Sequence, residues 1–224
     1  MINIVSSFYI TSSNLRNKEL EACFVNNLSS KYVEKIHLFV DDNVALNKIK
    51  ELSSNSKKVV IIGVGKKPKY TDFFKYILNN LQNTICMITN SDIFLYEFDN
   101  NLLENVINTN TAYALTRYEY NMSCPLINNY QGSHDCYIFN SKFIDDKIIN
   151  ENTNFYQNFT GIETRIIKSL CDCGLKVYNP CYQIKIIHLH YSDIRNHGEW
   201  IGLHKSGDYE YFKKSCWCVP PIQL

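Results

Sequence analysis

Apolar positions along this chain switch repeatedly between strand and helix periods. Ile2 to Phe8 reads as a strand. After Ser12-Ser13-Asn14, the residues Leu20, Cys23, Phe24 and Leu28 share one face of an amphipathic helix over roughly residues 15 to 29. Lys35 to Val40 is a second strand, ending at Asp41-Asp42, and a short helix follows near Leu46 to Leu52. Lys58 to Ile62 is a third, ending in Gly63-Val64-Gly65. Pro68 to Asp72 then supplies a helix start, and Phe73, Phe74, Ile77, Leu78 and Leu81 form the buried stripe of that helix. The next apolar run, Thr84 to Thr89, stops at Asn90-Ser91-Asp92 and resumes as Ile93-Phe94-Leu95.

Four β-α units in succession predict an α/β fold whose mainly parallel central sheet is covered by helices on both faces. Such sheets bind ligands just beyond the carboxyl ends of their strands, so Ser6 to Tyr9, Asp41-Asp42, Gly63 to Gly65 and Asn90 to Asp92 should lie along one rim. Gly63-Val64-Gly65-Lys66 lacks the full spacing of a phosphate loop and reads as a turn. Past residue 110 the pattern loosens. Ala112 to Glu119 and Cys136 to Asn140 read as strands, a helix falls near Thr164 to Cys173, and a last strand runs from Gln183 to His190.

Composition changes this picture little. The 224 residues, 45% hydrophobic and 13% aromatic, suit one domain with a sizeable core, and a net charge of +1 gives no field for nucleic acid or an anionic membrane. The first ten residues lack a signal peptide's features and no stretch reaches membrane-span length, so a cytoplasmic chain is expected, with its nine cysteines reduced. Cys171-Asp172-Cys173 and Cys216-Trp217-Cys218 have the wrong spacing for a zinc knuckle.

Candidate chemistry gathers at four places. Asp92 sits at a strand end among Ile, Met and Phe, where a carboxylate needs a partner to offset its desolvation, although Asn-Ser-Asp is also ordinary turn chemistry. In His188-Leu189-His190-Tyr191-Ser192-Asp193-Ile194-Arg195, two histidines at i and i+2 of a strand share a face and can share a metal, or simply bond to backbone as half-buried side chains. Arg195 suits phosphate oxygens. Asp135, in Gln131-Gly132-Ser133-His134-Asp135, meets an apolar strand; Glu163 opens the predicted helix. Either could act as a general base, and each has a structural alternative, a strand-end turn for Asp135 and a helix-dipole carboxylate for Glu163.

These elements together resemble the GT-A class of nucleotide-sugar glycosyltransferases. Asn90-Ser91-Asp92 is similar to that class's metal-binding Asp-x-Asp element, and His188 or His190 to its late histidine ligand. Asn-Ser-Asp-Ile, Leu-Thr-Arg, Gly-Ser-x-Asp and His-Leu-His-x-Ser-x-x-Arg, in this order over roughly residues 2 to 195, resemble a group that includes glycosyltransferase domains of large DNA viruses. One departure is that Asn90 replaces the motif's first aspartate.

The resemblance implies a single Rossmann-like GT-A domain over residues 1–224. Residues 1–110 would be its nucleotide-binding half, 111–199 an acceptor and metal-completing half, and 200–224 a tail of unassigned role. It implies Mn²⁺ or Mg²⁺ on Asp92 and on His190 ahead of His188, with Asn90 able to bond a hydroxyl and Arg195 on the diphosphate. Ser7, Tyr9, Arg16 and Asp41 are further contacts for base, ribose or phosphate, and Asp135 or Glu163 is the base if the reaction inverts. The partners would be a nucleotide sugar and a glycan or other hydroxyl acceptor. A metal-dependent phosphoesterase and a non-catalytic nucleotide- or glycan-binding module are the alternatives.

Overall fold

Strand β1 (Ile2–Phe8) is buried along its whole length, as an interior strand covered on both faces must be. The structure is a computed structural model that describes residues 1–54, 56–63, 65–128, 133–157, 162–192, 194 and 219–224. After β1 come α1 (Asn14–Ser29), β2 (Val33–Val40), α2 (Asn43–Ser53), β3 (Val59–Gly63), α3 (Tyr70–Asn80) and β4 (Ile85–Thr89). Side chains cap the first two helices: Arg16 N–H donates to the Ser13 hydroxyl at 3.3 Å, and Ala45 N–H to the Asp42 carboxylate at 2.8 Å.

Strand β2 pairs parallel with β1, β3 parallel with β2, and β4 parallel with β1 on its other side. The direction of strand addition therefore reverses between β1 and β4. In sheets of this kind, ligands bind at the carboxyl ends of the strands flanking such a reversal.

The chain continues through β5 (Ile93–Phe98), α4 (Asn100–Asn108), β6 (Thr111–Leu115), β7 (Tyr118–Glu119), α5 (Pro125–Asn128) and β8 (Cys136–Asn140). Three single-turn 3-10 helices lead to α6 (Ile162–Asp172), β9 (Lys176–Tyr178) and β10 (Ile184–His188). The main sheet has seven strands in the order β3-β2-β1-β4-β8-β6-β9, and β8 alone runs against its neighbours. A second sheet of three strands has the order β5-β10-β7.

Alternation of side chains builds one core on each face. Ile2, Ile4 and Phe8 of β1, Ile85 and Met87 of β4, and Tyr113 and Leu115 of β6 pack with Leu20 and Phe24 of α1, Ile49 of α2 and Leu102 of α4. The opposite faces, with Val5, Cys86, Ile88 and Phe139, pack against Phe73, Phe74 and Ile77 of α3 and Ile166, Ile167 and Leu170 of α6. Each such side chain contributes about 1.5–3 kcal/mol by burial.

The mainly parallel α/β sheet expected from the sequence is present, with local differences. Ala112 to Glu119 is not one strand: the chain breaks after Leu115, and β7 joins the second sheet. Ile93 begins a strand antiparallel to β10 rather than a continuation of the main sheet, and β10 ends at His188 instead of His190. The helix α4 lies in a stretch the apolar pattern left unassigned.

Candidate functional site

The turn after β4 carries the Asn90-Ser91-Asp92 tripeptide to the switch-point rim. Ser91 donates its hydroxyl to Ser7 O at 2.8 Å, and the Ser7 and Ser91 hydroxyls lie 3.1 Å apart, so the turn is tied to the end of β1. The Gln157 amide reinforces this tie, accepting from the Ser7 hydroxyl at 3.0 Å and donating to Thr89 O at 3.0 Å and Asn90 Oδ1 at 3.4 Å.

Asp92 is nearly buried at 9% exposure, and its Oδ2 accepts from Arg16 Nη2 at 2.6 Å and lies 3.2 Å from His188 Nε2. The Nδ1 of His188 meets Glu119 Oε2 at 3.1 Å. Glu119 pairs with Arg117, whose Nη1 reaches Asp135 Oδ1 at 2.8 Å; the other Asp135 oxygen accepts from the Ser133 hydroxyl at 3.2 Å. At the far end Arg16 Nη1 pairs with Glu19 Oε2 at 2.9 Å, and Glu19 in turn accepts from Ser192 N–H at 2.6 Å and from the Ser192 hydroxyl at 3.0 Å.

Charges thus alternate along Glu19, Arg16, Asp92, His188, Glu119, Arg117 and Asp135. Burial alone would raise the Asp92 carboxyl, but the His188 hydrogen bond and the charges of His188 and Arg16 hold it well below the usual carboxylate range. Burial likewise works against the charged His188, yet its bonds to Asp92 and Glu119 raise it to about 9. The same bond lowers Glu119 to about 2. His190 moves the other way: burial, then the charges of Arg16 and His188, push it down, so at neutral pH its ring is unprotonated.

One ligand atom each from Asp92, His188 and His190 lies within 4.8 Å of the others, and these three form the one such cluster among the described residues. A carboxylate oxygen with imidazole nitrogens is a donor set that first-row divalent ions accept. His190 Nε2 is buried without a hydrogen-bond partner, an orphan that a cation would satisfy. Asp92 and His188 are already engaged and would have to exchange partners to ligate. With His188 counted as a cation, the chain of charges holds three cations against four carboxylates, so it attracts a further cation. The residues fit a divalent ion.

Of the other sequence-picked residues, Tyr9 hydrogen-bonds Arg16 and so belongs to this cluster. Ser7 and Asn90 are held with Ser91 and Gln157 at the turn that precedes Asp92. Asp135 connects by way of Arg117 and Glu119. Asp41 stands at the end of β2 with Oδ1 buried and unpartnered, close enough for its charge to act on Tyr9, while Asp42 is the α2 cap. Glu163 lies by the buried phenols of Tyr70 and Tyr137, on which its charge and that of Asp135 both act. Arg195 lies outside the described residues, as do Gly132, Asp193 and most of the tail.

Sequence reasoning missed Glu19, Glu119, Ser91 and Gln157, and gave Arg117 no role. Glu19 had a signal, its i+3 spacing from Arg16 on a predicted helix. Gln157 had none, because its partners are 68 and 150 positions away in the sequence.

No family model matches this chain, and no curated protein matches it. Solved structures do. The 4-diphosphocytidyl-2C-methyl-D-erythritol synthase of Anaerococcus prevotii superposes with a TM-score of 0.50 at 13% identity, over 96% of this chain and 95% of that one. The mannosyltransferase PcManGT of Pyrobaculum calidifontis, solved with GDP-Man and Mn²⁺, has a TM-score of 0.50 at 9% identity, over 80% of this chain and 54% of that one. The chain shares the fold of these two transferases. S. aureus TarS gives a TM-score of 0.48 at 12% identity, and this chain spans 35% of its length. Among the described residues no helix is long and apolar enough to cross a membrane.

Proposed function

We propose that this chain is a metal-dependent glycosyltransferase that moves a hexosyl or deoxyhexosyl group from a nucleotide-diphosphate donor to an acceptor hydroxyl in glycan synthesis. One observation carries the reading: Asp92, His188 and His190 converge within 4.8 Å at the switch-point rim of a fold shared with a mannosyltransferase solved with GDP-Man and Mn²⁺.

A divalent ion on Asp92 and His190, with His188 as third ligand, would supply the positive charge that a departing diphosphate needs. Donor contacts fall to Ser7, Tyr9, Arg16, Asp41 and Asn90 along the rim, with Arg195 as a further cation. Asp135 or Glu163 takes the proton of the acceptor hydroxyl in an inverting transfer, and the other orients the sugar. Asp135 is already oriented by Arg117 and Ser133, which favours the positioning role for it.

The test is a thermal-shift screen of UDP, GDP and CDP with and without Mn²⁺, beside a simple phosphate ester. A rise in Tm that needs both a nucleoside diphosphate and Mn²⁺ supports the reading; no response to any diphosphate overturns it. A second reading, a nucleotidyltransferase, is favoured by the near full-length match to the diphosphocytidyl-methylerythritol synthase. Pyrophosphate release from a nucleoside triphosphate would identify it.

A further inference from the structure

The Asp92 oxygen that faces His188 is already held by a cation of the protein itself. Arg16 Nη2 lies 2.6 Å from Asp92 Oδ2, and His188 Nε2 approaches the same oxygen at 3.2 Å. A metal bound at that oxygen would take a lone pair these donors now use, and would bring its charge against a guanidinium with only 9% of its side chain exposed. Like charges so placed repel, and the repulsion is stronger in a buried site than in water.

Arg16 has somewhere to stay when Asp92 is taken from it. Its other amino group bonds Glu19 Oε2 at 2.9 Å and Leu189 O at 3.4 Å, and Glu19 is fixed from behind by Ser192. The residue stands in the first turn of α1, directly after β1, where the helix start faces the ligand rim. The guanidinium released from Asp92 would therefore lie beside an anion bound on that rim.

We propose that Arg16 is a resident competitor of the metal: it holds the Asp92 carboxylate while the site is unloaded, yields it to the divalent ion, and then serves the diphosphate. This rests on the metal-dependent reading above and deepens it. Metal and diphosphate binding become coupled through one side chain. The metal alone must displace Arg16 without compensation, whereas with a diphosphate present the displaced guanidinium gains a new partner. Metal affinity is thus low alone and rises when diphosphate is bound.

The experiment compares wild type with Arg16→Met, which keeps the aliphatic stem without charge, and Arg16→Gln, which also keeps a donor toward Glu19. Mn²⁺ binding is followed by electron paramagnetic resonance and calorimetry, alone and with UDP, GDP or CDP, while circular dichroism and Tm report folding. The expected result is Mn²⁺ binding at least tenfold tighter in whichever variant folds, and loss of the diphosphate-induced gain seen in wild type. Unchanged or weaker Mn²⁺ binding in a folded variant overturns the proposal, since a supporting residue would give that sign. Absence of Mn²⁺ binding in all three proteins, with and without diphosphate, overturns the metal reading itself.

Discussion

His188 and Glu119 meet 3.1 Å apart at the ends of two strands of the small sheet, and this contact joins the Asp92 cluster to Arg117 and Asp135. The Asp92 cluster and the Arg117–Asp135 pair are therefore one connected set of ion pairs.

The two histidines should separate by the quantity each controls. His190→Ala removes the unpartnered imidazole, so it should weaken Mn²⁺ binding strongly while leaving stability within about 1 kcal/mol of wild type. His188→Ala leaves Asp92 and Glu119 short of a cation and should destabilise by about 3 kcal/mol. Calorimetric metal titration beside urea unfolding of both variants checks the pattern, and equal profiles would refute it.

Asp92→Ala should abolish metal-dependent nucleotide binding, and it should also cost about 3 kcal/mol because Arg16 and His188 lose a shared buried partner. A strand-end carboxylate that served only a ligand would cost far less. Denaturant midpoints measured without metal or nucleotide give the answer.

The base assignment separates by turnover. Replacing the true base with its amide, Asp135→Asn or Glu163→Gln, should lower turnover about a hundredfold or more with donor affinity little changed; the other amide should mainly raise an apparent KM. Asp135→Asn should in addition lower Tm, because Arg117 loses a charge partner. Near-normal turnover in both, or retention of the donor's anomeric configuration by NMR, would dismiss the base.

His37 sets a pH dependence far from the site. It is 3% exposed between Asn3 and Tyr76, and burial, then the charge of Lys35, lower its pKa from 6.5 to about 4. Between those values the unfolded chain binds the proton and the folded one does not. The stability this provides is complete above pH 6.5 and is lost as pH falls toward 4, on the order of 3 kcal/mol. In His37→Gln that slope should vanish from urea unfolding measured across the window.

The first four strands and three helices were legible because each buries an apolar run or stripe, from Ile2 in β1 to Ile77 in α3. The small sheet was not, since β7 spans only Tyr118–Glu119, too short for a period to register. At the site, Asp92 and the histidines stood out by placing polar side chains beside apolar runs. Glu119 and Gln157 reach the site through partners distant in sequence, His188 and Ser7, and local pattern carries no trace of such pairings.

The reversed strand β8 has its own consequence. The residues at the ends of β1, β2 and β4 are reached as the chain leaves the sheet, but Asp135 is reached as the chain comes in. Lengthening the segment that leads into β8 would reshape the wall around Asp135 without altering a single strand-to-helix connection of the first half. The chain can thus vary one wall of the rim while the other, built by the opening β-α units, keeps its geometry.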